Sequence, residues 1–148
     1  MKIAIDPGVD GAIAIRTNST TKVIPMDLAN LAKLLKTVGS RHAPGPSTVV
    51  VEKLTGTGGN NPFPMVENYG EILGLCRANE IIPRLIPPQV WQLPYNVSGM
   101  PYADRKAALW RIAVELRPKT LKPHADALLL LEWADTKSAA QLARYSRF

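Results

Sequence analysis

Three carboxylates stand at widely separated points of this sequence, each at the edge of an apolar run. Asp6 and Glu52 each close a short run of Ile, Ala or Val, and Asp126 opens a stretch of alanine and leucine. Acidic residues are seldom fully buried without a partner, so carboxylates attached to three core elements need an explanation. A divalent cation such as Mg²⁺ provides one, because it binds oxygen ligands and needs few protein carboxylates. Two such ions can activate water and stabilise the leaving 3′ oxygen in phosphodiester hydrolysis.

The charge of the chain favours a polyanionic partner. The formal net charge is +6 and the isoelectric point is about 9.7. Nucleic acid is the commonest soluble polyanion, although charge alone does not establish that it binds. Many of the Lys and Arg residues lie in the last third of the sequence, on both sides of Asp126. A carboxylate cluster in a basic field is what a phosphodiester-cleaving site needs.

Length and composition limit the possible classes of protein. The 148 residues are most simply one domain, residues 1–148, large enough to bury a core. No apolar run approaches the roughly 18 residues that span a bilayer, and the N-terminus lacks a signal-peptide pattern. The single cysteine, Cys76, excludes an internal disulfide and fits a reducing compartment. We therefore expect a cytoplasmic protein with no membrane partner.

Hydrophobic periodicity predicts alternating strands and helices that would position the carboxylates. The predicted strands are residues 2–8, 11–16, 22–26, 48–52 and 81–86. One predicted helix begins after a cap at Asp27. Three further helices are predicted at about residues 64–79, 102–116 and 124–143. Three antiparallel strands followed by strands that alternate with helices imply an α/β fold, a mixed five-stranded sheet covered by helices on both faces. This is the element order of the ribonuclease H-like fold.

In such a sheet the first and fourth strands can lie side by side, so Asp6 and Glu52 can meet at one edge. The first turn of a C-terminal helix can then bring Asp126 over them. Without a cation, the clustered carboxylates would repel one another and raise their own pKa values. A bound metal ion removes that cost, which makes these three residues the candidate metal ligands and catalytic residues.

Several segments, taken in order, resemble one known family. They are Ile3–Ala14, Val49–Glu52, Asn68–Gly74, Pro87–Trp91, Asp104–Lys106 and His124–Leu128. Together they resemble RuvC-type Holliday junction resolvases, and most closely the compact versions carried by bacteriophages. Asp-x-Gly on a first strand also begins actin-like ATPases, but one domain is too small to enclose a nucleotide between two lobes. The resemblance spans nearly the whole chain.

The resemblance implies a homodimeric, Mg²⁺-dependent endonuclease that makes paired nicks in four-way DNA junctions during DNA recombination and repair. It implies two metal ions per active site, with Mn²⁺ as a substitute, and the host cytoplasm as location if a phage encodes the chain. Asp6, Glu52 and Asp126 would be the metal ligands. The family usually carries a fourth ligand, acidic or histidine, shortly before the last Asp. Here His124 is the candidate for that position, as a metal-site residue or water activator, or else a helix-start histidine that touches only DNA phosphate or solvent.

Four residues are candidate DNA contacts. Arg105 and Lys106 would neutralise phosphate near the metals, or else lie on a solvated helix face. Phe63 ends a glycine-rich loop, residues 55–61, and would stack on an unpaired base at the junction centre or else pack into the core. Lys122 would add a further DNA contact beside His124.

Two further patterns concern packing. Gly70 and Gly74 permit close helix approach, and the resemblance places the dimer interface on their helix, although either glycine could equally pack against the protein's own sheet. Trp91, Trp110 and Trp133 fall within apolar patterns and are predicted to lie in the core.

Two other functions share these features. A different nuclease of the same fold, cutting RNA–DNA hybrids or flaps, would need the same carboxylates, because substrate choice resides in loops and dimer geometry. A protein that binds junctions without cutting them is suggested by the missing fourth acidic ligand. Dimerisation favours the junction resolvase, because a junction has twofold symmetry and a dimer matches it.

Overall fold

The computed structural model describes residues 1–18, 20–39, 46–55 and 63–145. The strands are Lys2–Ile5 (β1), Ala12–Arg16 (β2), Thr21–Pro25 (β3), Thr48–Glu52 (β4) and Arg84–Ile86 (β5). The α-helices are Leu28–Gly39 (α1), Phe63–Ala78 (α2), Pro88–Trp91 (α3), Tyr102–Leu116 (α4), Ala125–Asp135 (α5) and Ala139–Ala143 (α6). Two short 3₁₀ turns cover Leu93–Tyr95 and Lys122–His124.

The five strands form one mixed sheet in the order β3-β2-β1-β4-β5. β1 pairs antiparallel with β2, and β2 pairs antiparallel with β3. β4 lies between β1 and β5 and is parallel to both. The predicted mixed, five-stranded ribonuclease H-like sheet is therefore confirmed.

Side chains of the central strands alternate between two core layers, because successive residues of a strand point to opposite faces. Ala4 and Val50 pack in one layer with α3, α4 and α5. Ile5 and Val51 pack in the other layer with α1 and α2. The three candidate carboxylates, Asp6, Glu52 and Asp126, belong to the face covered by α5.

Helix α5 is buried on nearly all sides, in keeping with its almost continuous apolar sequence. Asp126 is 5% exposed. Among the residues that the structure describes, it is the one buried residue that is polar or charged. The last turn of the helix is tied to the sheet: Lys2 Nζ lies 2.6 Å from the Asp135 carboxylate, and Arg16 forms ion pairs with acidic residues of that turn. The helix is thereby held at the end opposite Asp126.

The structure differs from the sequence-based prediction at four places. β1 ends at Ile5 rather than residue 8, because a tight turn follows it in which the Gly11 N–H donates to the Gly8 carbonyl at 2.9 Å. β5 begins at Arg84 rather than residue 81, because Pro83 has no N–H to donate to a ladder. The predicted helix 124–143 is two helices, since Ser138 and Gln141 form a capping box that starts α6. Helix α3, with Pro88 in its first turn, was not predicted. Residues 56–61, which are all of the glycine-rich loop except Thr55, lie outside the described residues.

No helix in the described ranges combines the length and apolar character needed to cross a membrane.

Candidate active site

The parallel pairing of β1 with β4 brings two of the carboxylates to one edge of the sheet. Ala4 is opposite Val50 in the register, and each following residue advances both strands together. Asp6 therefore comes opposite Glu52. Both lie two residues beyond the pair Ala4 and Val50, whose side chains face α5, so both carboxylates lie on that face as well. The predicted adjacency of the first and fourth strands is confirmed.

A tight turn fixes the backbone that follows β1. The Gly8 N–H donates to Asp6 Oδ1 at 3.0 Å, which orients this carboxylate at the start of the turn. Gly11 passes so close to the strand that an added Cβ would lie 2.2 Å from the Asp6 carbonyl oxygen, so only glycine fits there. From α2, Asn68 Nδ2 donates to the Pro7 carbonyl at 2.7 Å. The position of Asp6 is thus set by backbone contacts on both sides of the turn.

Asp126 enters from α5, in the first turn of the helix. Its carboxylate forms an ion pair with the Lys106 ammonium of α4. Burial lowers the pKa of Lys106, but the attraction and hydrogen bond of Asp126 and the attraction of Asp6 outweigh burial and raise it. Lys106 is therefore a permanent cation inside the acidic cluster, which contradicts its interpretation as part of a solvated helix face.

The three carboxylates lie close enough to perturb one another. Burial, followed by repulsion from Asp126, raises the pKa of Asp6, against the opposing effects of Lys106 and the Gly8 N–H. Burial, followed by repulsion from Asp6 and then Asp126, raises the pKa of Glu52 to about 8. One ammonium thus compensates three carboxylates incompletely, and the site favours an additional cation or proton.

Glu52 has a further partner that the sequence did not reveal. Trp91 is fully buried in the core layer beneath α5, as predicted, and its Nε1–H donates to Glu52 Oε2 at 2.8 Å. This hydrogen bond lowers the pKa of Glu52, opposing the burial and repulsion that raise it. The indole comes from α3, and the Pro-Pro pair that opens α3 after β5 is the sequence signal for this helix.

Replacing Trp91 with Phe is expected to raise the pKa of Glu52 by roughly one further unit. The reason is that Phe keeps most of the packing but removes a hydrogen bond to the charged form, worth about 1.5 kcal/mol or more. A ¹³C NMR titration of the glutamate carboxyls measures the shift. Trp133→Phe is the matched control, because Trp133 is similarly buried. An equal shift in both variants, or none in Trp91→Phe, would contradict the assignment.

The donor chemistry of the cluster fits a hard divalent cation, since it consists of carboxylate oxygens with unbalanced negative charge. The side chains do not form a coordination shell as they stand. Within residues 1–18, 20–39, 46–55 and 63–145, no three His, Cys, Asp or Glu side chains are grouped closely enough to hold an ion. Asp126 instead contacts Lys106. Metal binding would require Asp126 to exchange this ammonium for the ion.

His124 and Lys122 lie directly before the start of α5. They belong to the 3₁₀ turn that leads directly into the helix, where Lys122 is exposed and His124 is partly buried. Burial lowers the pKa of His124, which favours the neutral imidazole. In the part of the chain that the structure describes, no hydrogen bond or ion pair joins this imidazole to the three carboxylates. The catalytic role of His124 and the DNA contact of Lys122 stay predictions.

Phe63 and Arg105 are placed on two different helices. Phe63 is the first residue of α2 and is 79% exposed, so it does not pack into the core. The Arg105 guanidinium lies 5.6 Å from the ring centre of Tyr102, at the start of α4. Their contacts with DNA stay predictions. The prediction that Trp110 lies in the core is wrong: the residue is 38% exposed, and its indole N–H donates to the Thr120 carbonyl at 3.0 Å.

Comparison with known proteins places this arrangement in a structural context. The sequence matches no protein-family profile and no curated protein. Several solved structures match this chain, and two of them are similar over nearly their whole lengths. The structure of Thermus thermophilus RuvC matches with a TM-score of 0.54 and 16% identity, covering 97% of this chain and 95% of that one. This chain has a RuvC-like fold.

The second RuvC-like match is Thermus thermophilus RuvC in complex with a Holliday junction substrate. Its TM-score is 0.58 at 14% identity, covering 97% of this chain and 94% of that one. At these identities the likeness establishes the RuvC-like, ribonuclease H-like fold. The resemblance to compact phage versions has no counterpart in these matches and stays a hypothesis.

Proposed function

We propose that this chain is a divalent-metal-dependent endonuclease that resolves four-way DNA junctions, as a homodimer, in recombination or repair. The observation that carries the proposal is the acidic cluster. Asp6 and Glu52 from adjacent parallel strands and the buried Asp126 share one cationic partner, Lys106, on a RuvC-like fold. A cluster with too little positive charge suits metal ions, and a net charge of +6 suits DNA.

Asp6, Glu52 and Asp126 would hold Mg²⁺, with Mn²⁺ as a substitute. A pair of such ions supplies an activated water and stabilises the leaving oxygen of the cleaved phosphodiester. The chain's own residues prepare the site for them. The Gly8 N–H orients Asp6, and the indole N–H of Trp91 orients Glu52 and favours its ionised form.

The side chains around the cluster would contact different parts of the DNA and the attacking water. Lys106, once released from Asp126, would neutralise the scissile phosphate. His124, with its lowered pKa, is suited to accept a proton from the attacking water. Arg105 and Lys122 would contact phosphates, and the exposed Phe63 would stack on an unpaired base.

The outer face of α2 is the proposed dimer interface. A Cβ added at Gly70 or Gly74 would meet nothing within 4 Å, so neither glycine packs against the protein's own sheet. Val66, on the same helix, is 46% exposed. An apolar residue and two uncovered glycines allow a second copy of the helix to approach closely.

Gly74→Lys is expected to convert the dimer to a monomer without unfolding the chain. The side chain enters open space, and replacing a helix-interior glycine improves helix propensity by up to about 1 kcal/mol. Sedimentation gives the mass in solution, and circular dichroism gives the helix content. Ala29→Lys, at an exposed site on α1, is the control and should leave the dimer intact. A Gly74→Lys variant that stays dimeric would move the interface elsewhere.

The junction-binding protein that does not cut is a second candidate, favoured by one observation. The Lys106 ammonium forms an ion pair with Asp126, one of the carboxylates that a metal ion would need. In such a protein the ammonium would replace the metal permanently, and DNA binding would proceed without hydrolysis.

Cleavage of a labelled four-way junction distinguishes these functions. The junction is compared with linear duplex, a flap and an RNA–DNA hybrid, in Mg²⁺, in Mn²⁺ and with a chelator. Paired, symmetric nicks confined to the junction and lost with chelator support the resolvase. Binding without nicks in either metal supports the non-cutting protein. Preferred cutting of the hybrid or flap would assign another nuclease activity to the same fold.

A further inference from the structure

An exposed aromatic ring stands beside the acidic cluster. Tyr102 is the first residue of α4 and is 68% exposed. Lys106 lies one helical turn further along, with its Nζ 5.7 Å from the centre of the Tyr102 ring. The same ammonium contacts Asp126. The ring is therefore separated from the cluster by one side chain, with most of its surface open to solvent.

A second cation adjoins the ring. The Arg105 guanidinium carbon lies 5.6 Å from the ring centre. Tyr102, Arg105 and Lys106 thus present a flat apolar surface and two positive charges side by side. A nucleotide matches this arrangement, because it carries a planar base and an anionic phosphate within one residue. Aromatic rings bind bases by stacking without regard to sequence.

The contacts of Tyr102 with its neighbouring cations do not give the exposed ring a clear structural role. Cation–π attraction extends to about 6 Å from the ring centre, so both cations are near its outer limit. Lys106 is already held by its ion pair with Asp126 and does not need the ring for its position. The ring is thus left available to a ligand beside the cluster.

We propose that Tyr102 stacks on an unpaired base next to the phosphate that is cut. The proposal rests on the proposed nuclease function and adds a substrate preference to it. Bases inside a duplex are already stacked on both faces, so Tyr102 can bind only a base that has left the stack. Unstacking costs least at a mispaired or branched position. The enzyme should therefore cut fastest where the nucleotide flanking the cut is unpaired.

Two junctions that differ only in one base pair beside the cut test this preference. One is fully paired, and the other carries a mispair there. Wild type is expected to cut the mispaired junction faster, by up to about tenfold. This factor corresponds to the lower part of the range of free energies for stacking one base on an aromatic side chain. Tyr102→Ala should cut both at the same, slower rate, whereas Tyr102→Phe should keep the preference because it keeps the ring. Ile82→Ala, at a residue 63% exposed outside the acidic cluster and α4, is the control.

A double-mutant cycle separates stacking on DNA from an effect transmitted through Lys106. Junction affinity is measured for Lys106→Met, Tyr102→Ala and the double variant, each also carrying Asp6→Asn to prevent cutting. Direct stacking predicts that Tyr102→Ala still weakens binding about tenfold in the Lys106→Met background. No added loss in that background would overturn the proposal.

The same measurements distinguish failure of this inference from failure of the proposed function. If wild type binds and cuts the junction but Tyr102→Ala retains the mispair preference, only the role of Tyr102 is overturned. If wild type neither binds nor cuts branched DNA, the proposed function is overturned and the stacking role with it. Quenching of a 2-aminopurine placed beside the cut, present in Tyr102→Phe and lost in Tyr102→Ala, would support the stack directly.

Discussion

Asp6→Asn is expected to abolish junction cleavage while junction binding remains close to that of wild type. The loss should reach about a thousandfold or more, because removing even one preorganised electrostatic group from an active site costs about 10²–10³ in rate. Glu52→Gln and Asp126→Asn should have the same effect. All three changes keep side-chain size and replace an ionisable carboxyl group with a neutral amide, whereas the basic residues that would bind DNA stay in place.

Gel-shift titration and single-turnover cleavage on the same labelled junction measure the two properties separately. Asp104→Asn is the matched control, because Asp104 is an exposed carboxylate in the first turn of the helix that carries Lys106. It should leave cleavage nearly unchanged. Near-normal cutting by any one of the three cluster variants would remove that residue from the metal site. Loss of binding together with cleavage would instead indicate a folding defect.

The second large effect expected is that metal-free protein loses stability as pH rises from about 5 to about 8. Burial and the neighbouring carboxylates raise the pKa of Glu52 from its ordinary 4.5 to about 8. Between these values the folded chain retains a proton that the unfolded chain has released. The free energy of unfolding therefore falls with pH in this window, by on the order of 3 kcal/mol, and levels off above it. The raised pKa of Asp6 acts in the same direction.

Divalent metal should reverse this loss, because it binds the ionised carboxylates of the folded chain. Ligand present at about a hundred times its dissociation constant adds about 2.7 kcal/mol. Thermal unfolding with chelator and with Mg²⁺, at about pH 6 and about pH 8, measures both effects. Mg²⁺ should raise the melting temperature more at the higher pH. Glu52→Gln, which carries no ionisable group at this position, should make the metal-free profile less steep and leave only the contribution of Asp6; an unchanged profile would contradict the assignment.

Much of the fold could be predicted because it depends on local pattern. Three consecutive valines give β4 with the bounds Thr48–Glu52, and helical spacing gives α4 with the bounds Tyr102–Leu116. Asp27 accepts from the Asn30 N–H at 2.7 Å, as expected of the residue that caps α1. The adjacency of Asp6 and Glu52 could also be predicted from the order of strands and helices, because this order leaves few possible sheet topologies.

The contacts that tune the site could not be predicted, because each joins side chains from elements distant in sequence. The hydrogen bond from Trp91 to Glu52 depends on the position of α3, and a buried tryptophan is fully explained by packing alone. The ion pair between Lys106 and Asp126 depends on how α4 crosses α5. The exposure of Trp110 depends on its hydrogen bond to Thr120, a residue of the turn beyond α4.

The burial of α5 has a consequence for when the protein acquires activity. Asp6 and Glu52 leave the ribosome early, whereas Asp126 is added much later and is placed only when its helix docks between the sheet and α4. A nascent chain that ends before α5 carries two of the three carboxylates and an open core layer. On the proposed function, such a chain cannot hydrolyse DNA. A nuclease synthesised in this order would become able to cut DNA only after α5 has docked.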